Sequence, residues 1–427
     1  MPQTTPAPVQ RYRLPSLEGV LQVLWWMAIG ISSIEDVKPA PYDILLVMMM
    51  PIWLFTRFTV NRVLIAFLGL LLARQFLEMF ALLPHVDEAD SFQYTYYSTV
   101  VFLFAAFAAL FMSNNTHERV NIFLKAYFMA CCITSLAGIA GYFNIAGSAA
   151  YFQLEGQRAS GTFNDPNVMG SFCVLGALYG LQVVLRSKPR RALLLMPFLL
   201  MIYANVLLSF SRGSWGALVL TSLLMGFLTF ITSTSRRARR RVALTFSVIL
   251  TVVVVLFLVL LLSPDFSKFF FERAQLLHSY DTGATGRFGN QVRSLKHLLT
   301  LPWGYGPLRF RIYYGLEPHE SYIGAFANSG WLAGLVFIAL SLSTNFVGLR
   351  LALKPSPYQR YAQVIWPATL AHFVQAFQID IDHWPFFSLA MGAVWALEAA
   401  RQNWLGRARA AATRQPRQDR LPDASAA

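Results

Sequence analysis

Residues 236–262 read RRARRRVALTFSVILTVVVVLFLVLLL: five arginines within six positions, followed by an uncharged and mostly apolar run from Val242 to Leu262. A helix rising about 1.5 Å per residue crosses a hydrocarbon core of roughly 30 Å in about 20 residues, so this run alone is long enough to span a bilayer. The arginines before it mark a loop that resists translocation. The rest of the chain follows the same pattern. It has 427 residues, 56% hydrophobic and only 13% charged, with a mean hydropathy of +0.48. Soluble domains carry about twice that share of charge, which excludes a soluble globular protein. The net charge of +14 is distributed in short clusters between apolar runs, a topological signature that does not call for nucleic acid as a partner. Cys131, Cys132 and Cys173 all fall inside apolar runs, so neither a disulfide framework nor a metal site is indicated.

Segments of this kind lie at 17–34, 42–58, 63–83, 96–112, 120–143, 168–185, 192–210, 215–231, 242–262, 322–346, 361–377 and 385–400. The expected fold is therefore all-α, a polytopic bundle of about twelve transmembrane helices. The second segment is short and carries Pro51. The first lacks a small-residue cleavage site and is read as a retained span. Basic clusters at Arg11 and Arg13, Arg57 and Arg62, Arg119, Arg186 to Arg191, Arg236 to Arg241, Arg350 to Arg360 and in the tail all separate spans in one register. That register places both termini in the cytoplasm. Residues 1–16 and the basic tail 401–427 are too polar and proline-rich to pack, and are expected to be disordered, the tail beyond its first turn or two. The outer segments are then 35–41, 84–95, 144–167, 211–214, a long loop at 263–321 and a tight turn at 378–384. No internal repeat suggests a duplicated transporter.

Chemistry-bearing residues gather in those outer segments. Arg158 precedes Asn164-Asp165-Pro166-Asn167, where Asn164 or Asp165 can cap a helix with Pro166 in its first turn. A cation beside such a free N-terminus suits a phosphate; the alternative is a headgroup anchor. Ser211-Arg212-Gly213 forms a very short turn before Trp215. An arginine there is costly near lipid unless it is paired or bound, the alternative being an interfacial anchor. The long loop carries Gly283, Gly286, Arg287 and Gly289, a spacing that permits close backbone approach to a ligand but is no nucleotide P-loop. Val292, Leu295, Leu298 and Leu299 then share one helical face, as in an amphipathic helix lying on a membrane, until Pro302 to Pro307 break it. His319 and Glu320 stand at the head of the next span, before Asn328, Gly330 and Gly334. Histidine is the side chain best suited to take a proton near neutral pH, although a lone histidine is more often structural.

Two further groups rank lower. Arg74 and Glu78 are four apart in the third span and can pair on one face, a structural arrangement more often than a catalytic one. Asp380, Asp382 and His383 have no metal spacing and read as a solvated turn.

Arg158-x-x-Gly161-x-Phe163-x-Asp165-Pro166-Asn167, Ser211-Arg212-Gly213, Gly286-Arg287 followed by Gly304-x-Gly306, and His319 with Gly330 and Gly334 behind it together resemble the bacterial O-antigen ligase and O-antigen polymerase superfamily. The resemblance runs from about Arg158 to Gly334, within a core at 150–345; the first five spans match in hydropathy only. It implies a membrane glycosyltransferase domain over 17–400, with a periplasmic loop at 263–321 containing short helices. Such an enzyme takes a glycan from undecaprenyl diphosphate and passes it to an acceptor hydroxyl, with no cofactor, metal or nucleotide sugar. By the same resemblance Arg212 and Arg287 hold the lipid diphosphate and His319 activates the acceptor. Arg158, Asn167, Ser211, Gly286 and Glu320 are the accompanying substrate-binding candidates, Glu320 standing where many relatives carry Asn or Ser.

The residues support that chemistry independently. Guanidiniums bind diphosphate oxygens bidentately and are more weakly hydrated than ammonium groups. A sugar hydroxyl needs a base as its bond to the anomeric carbon forms, and attack opposite the departing diphosphate inverts that centre. The resemblance, and not the residues, implies lipid A core as the acceptor, as for a ligase, in a bacterial inner membrane. A polymerase extending O-antigen or exopolysaccharide uses the same donor. A lipid-linked-sugar flippase or transporter is the alternative from another class, and it would place ionisable groups near the midplane of paired repeats.

Overall fold

The computed structural model describes residues 16–35, 39–154, 158–275 and 286–414, excepting the side chains of Arg287, Ala412 and Arg414. Within them the chain forms α1 (Leu17–Gly30), α2 (Pro41–Leu54), α3 (Arg62–Leu82), α4 (Ala89–Met112), α5 (Thr116–Tyr142), a short α6 (Ala149–Phe152), α7 (Pro166–Arg186), α8 (Pro189–Leu208), α9 (Arg212–Ile231), α10 (Arg236–Leu261), α11 (Pro264–Ala274), α12 (Arg287–Leu298), a short α13 (Phe310–Tyr314), α14 (Ser321–Leu353), α15 (Gln359–Gln375) and α16 (Pro385–Arg414). The described β-structure is one antiparallel pair, β1 (Gln153–Leu154) with β2 (Arg158–Ala159). The protein is an all-α bundle.

Every apolar segment expected to span is helical, but length separates them. Among the described residues, eight helices are long and apolar enough to cross a membrane: α3, α4, α5, α7, α8, α9, α10 and α14. α1 and α2 have 14 residues each, or roughly 21 Å at the rise of an α-helix, short of a bilayer core. α15 has 17 residues, and α16 becomes polar after an apolar first half that packs on α4. Length and composition thus carry eight crossings of the expected twelve. Pro51 lies inside α2 without ending it.

α10 shows which solvent the bundle requires. Among its side chains only Val242 and Ile249 are buried, while Leu244, Val248, Leu250, Val254, Val255, Leu256, Leu258 and Val259 are exposed. A helix apolar all round with so little packed surface is stable in lipid, not in water. The protein core lies elsewhere, around α7, which packs against α5, α8, α9 and α15 and buries residues on all its faces from Met169 to Leu185.

The helix ends sort into two sets. At one end Arg119 pairs with Glu18 at 2.6 Å, Gln182 donates to the Arg360 carbonyl at 2.7 Å, Arg186 donates to Gln363 at 3.2 Å and Asn61 donates to the Ala399 carbonyl at 2.9 Å. These contacts gather the basic inter-helix turns. The opposite end collects the start of α4, α7, α9, α14 and α16 with α11, α12 and α13, and holds the motifs described next.

Candidate functional site

The Ser211 turn is built by caps. Asp165 accepts from Asn167 N at 2.7 Å and starts α7 with Pro166 in its first turn, which settles the choice between Asn164 and Asp165. Ser211 caps α9, its hydroxyl accepting from Ser214 N at 3.4 Å and lying 3.0 Å from Ser214 Oγ. Phe210, just before it, takes a left-handed φ of 49° and inserts its ring against Phe266 and Phe269 of α11 at centroid distances of 5.4 and 4.5 Å. The strained turn is therefore held by aromatic packing.

Arg158 ties β2 to this turn. Its Nε donates to the Ser209 carbonyl at 2.9 Å and its Nη2 to Asn167 Oδ1 at 2.9 Å, while Ser214 Oγ donates to the Asn167 carbonyl at 3.2 Å. Arg212 Nη1 donates to the Gln275 carbonyl at 2.7 Å, linking the turn to the end of α11. Arg158, Asn167, Ser211 and Arg212 thus form one local assembly, in which Arg158 acts as a strut.

His319 sits across a neighbouring turn. It adopts φ 48°, unusual for a residue with a Cβ, and its Nδ1 is 3.9 Å from Asp380 Oδ2, both side chains being about half exposed. Glu320 caps α14 by accepting from Ile323 N at 2.8 Å. Burial pushes its carboxyl up to about 7, with nearby Asp380 adding to the rise and the helix N–H groups opposing it. Ser321 N donates to the Ala376 carbonyl at 2.8 Å and Ile381 N donates to Ser321 Oγ at 2.8 Å, which fastens the head of α14 to the turn between α15 and α16. α12 docks beside it: Gln291 donates to the Pro318 carbonyl at 2.8 Å and Asn290 to the Tyr314 carbonyl at 3.2 Å. Arg287 opens α12 one turn before Gln291 and Gly286 is the residue before the helix. The Arg287 side chain, and with it the Asp281–Thr285 part of the glycine stretch, lies outside the described residues.

The α15–α16 turn joins the two assemblies. Gln375 donates to Ser171 Oγ at 2.9 Å, and Ser171 Oγ is 3.2 Å from Ser214 Oγ. Gly213 packs against the segment that carries Asp380 to His319: a Cβ on it would stand 2.9 Å from Gln378 Nε2. This turn is not the solvated loop expected. Asp382 is 9% exposed and lies 3.9 Å from Arg74 Nη2; burial raises its carboxyl to about 7 against the lowering effect of Arg74. His383 Nε2 is 2.9 Å from Ser98 Oγ, and its enclosure holds the imidazole down at about 4, neutral at physiological pH. Asp380, Asp382 and His383 therefore face three different partners. Ser321 and the two glutamines carried no readable signal, because their importance lies in contacts between distant segments.

Arg74 and Glu78 do pair, at 3.6 Å and nearly fully buried. Arg74 Nη1 also donates to Ser329 Oγ at 3.4 Å, next to Gly330, where φ 79° interrupts α14. The Pro302–Gly306 loop fills that break: Trp331 N donates to the Pro302 carbonyl at 2.9 Å and Tyr305 N to the Ala327 carbonyl at 2.6 Å. Broken backbone inside the bundle is satisfied by protein. In α12 the buried residues Asn290 and Ser294 turn inward while Val292 and Leu295, and Leu299 just after the helix, are exposed; Leu298 departs from that face and is buried.

Fold and composition together define a multi-pass, all-α membrane protein with a polar assembly at one end of its bundle. No protein-family model matches the chain, and no curated protein matches it.

Proposed function

We propose that this protein is a membrane glycosyltransferase that moves a glycan from undecaprenyl diphosphate to an acceptor hydroxyl at the periplasmic face of a bacterial inner membrane. The observation that supports it most is that the Arg158–Asn167–Ser211–Arg212 assembly, through Ser214, Ser171 and Gln375, and the His319–Asp380 pair meet the same segment at the end of α15, at the end of the bundle opposite the basic clusters. Under the positive-inside rule those clusters mark the cytoplasm, which puts the termini there and the site outside, level with the headgroup of a lipid carrier.

In this reading Arg212 and Arg287 neutralise the diphosphate as it leaves. Arg158 and Asn167 brace the turn that presents Arg212. The acceptor hydroxyl oxygen bonds to the anomeric carbon while the bond from that carbon to the diphosphate oxygen breaks. The hydroxyl proton passes to His319, whose imidazolium Asp380 then faces. Undecaprenyl diphosphate departs with the bonding electrons, and the anomeric centre inverts. Glu320 holds the helix under the histidine.

The acceptor favoured is lipid A core, making the protein an O-antigen ligase; polymerisation of O-antigen or exopolysaccharide uses the same donor chemistry. Deleting the protein and analysing lipid-linked and lipopolysaccharide-linked glycan tests the reading. Long chains stranded on undecaprenyl diphosphate are expected for a ligase. Stranded single repeat units would make it a polymerase, and unchanged glycans would remove both.

A further inference from the structure

The turn that carries Asp380 to His319 also carries His383 to the wall of a second space, a cavity of about 450 Å³ between the start of α2, the first half of α4 and the start of α16. Its lining includes Tyr42, Tyr94, Tyr97, Asp43, Asp90 and His383. The proposed diphosphate chemistry makes no use of it.

The lining is unlike the arginine assembly beside it. The cavity offers tyrosine rings and carboxylates, and among the described residues no lysine or arginine lines it; Asp90 is held at the rim by Arg311. Tyrosine supplies flat apolar faces with a polar tip, and carboxylates accept hydrogen bonds from hydroxyl groups. That combination suits the faces and hydroxyls of a pyranose. The volume falls in the range of small-molecule sites, roughly 300–1,000 Å³.

The walls are preorganised. The Tyr94 ring meets His383 edge-on at 4.3 Å, and the Tyr94 hydroxyl accepts from Asn328 Nδ2 at 3.0 Å. His383 stays neutral against Ser98, so it contributes a polar edge without charge. Asn328 also accepts from Leu308 N at 3.3 Å, which ties the cavity rim to the broken start of α14.

We infer that this cavity is a binding site for a neutral or amino saccharide. Its assignment to a sugar stands on the lining alone; its identity as the site of the acceptor glycan rests on the transferase reading above, because one turn connects His383 in its wall to Asp380 beside His319.

Saturation-transfer NMR on the protein in nanodiscs, with lactose and chitobiose as probes, tests the sugar assignment without requiring turnover. Ring protons of at least one disaccharide are expected to gain saturation. The signal should fall at least about fivefold in Tyr97→Ala and Asp43→Asn, persist in Tyr97→Phe, and persist in Arg212→Ala. Neither disaccharide responding, or the signal surviving both Tyr97→Ala and Asp43→Asn in monodisperse protein, overturns the inference. In a transfer assay the same two variants should raise KM for acceptor about tenfold while leaving KM for donor unchanged; an increase in donor KM alone overturns the acceptor assignment. A sugar signal in a protein that transfers no glycan upholds the cavity and removes the transferase reading instead.

Discussion

Glu320 combines two demands that oppose each other: its carboxylate caps α14, yet burial raises its pKa to about 7 from an ordinary carboxylate value. A folded-state pKa above the unfolded one means that the native protein binds the proton more tightly between those two values. Stability is therefore highest below about 4.5, falls as pH rises toward 7, and is level above it for this group. Glu320→Gln keeps an acceptor for Ile323 N and removes the titration. Melting curves from about pH 5 to pH 8 should show the wild type losing stability relative to that variant, the gap closing at the acid end; parallel curves would refute the assignment. Residue chemistry of this kind was half legible in the sequence. Arg158, Arg212, His319 and Glu320 stand out because polar residues between apolar runs are conspicuous. Asp380 as the partner of His319 did not, because that pairing joins residues some sixty positions apart, and the Asp-x-Asp-His spelling gave no hint that Asp382 would be buried against Arg74.

At the level of elements, α14 shows how a glycine can fix a loop. Gly330 holds φ 79°, and a Cβ there would collide with the Pro302 carbonyl oxygen and the Trp303 backbone. Gly330→Ala should therefore cost about 2 kcal/mol or more from backbone strain and the displaced loop. A fall in thermal or denaturant midpoint, with faster proteolysis of the 300–309 loop, is expected; an unchanged midpoint would show that α14 needs no break. Sequence marked Gly330 as noteworthy but not as an interruption, since a single glycine in an apolar helix is ordinarily tolerated. Helix positions were well marked by apolar runs bounded by arginines, prolines and caps. Crossing was less so, because α1, α2 and α15 are apolar but short, and α16 is long but polar in its second half.

Across the whole molecule, the unequal distribution of charge gives the account its direction. The basic turns share one end of the bundle and the arginine–histidine assembly the other, while α10 presents an apolar surface suited to lipid. In a background lacking Cys131, Cys132 and Cys173, a cysteine at Leu316 should react with a membrane-impermeant maleimide added to whole spheroplasts. One at Thr234, exposed in the turn between α9 and α10, should react only after the membrane is permeabilised. The reverse pattern would turn the site toward the cytoplasm and exclude a lipid-linked glycan presented in the periplasm.

The most direct test of glycosyl transfer is turnover by purified protein in nanodiscs, given undecaprenyl-diphosphate-linked glycan and lipid A core, with release of free undecaprenyl diphosphate and glycosylated acceptor measured together. The wild type should yield both in equal amounts. Arg212→Ala should lose about 100-fold or more through the unneutralised leaving group. His319→Asn, whose side chain tolerates the left-handed backbone, should lose about 100- to 10,000-fold without a change in melting temperature. Transfer at the wild-type rate by both variants would contradict the account.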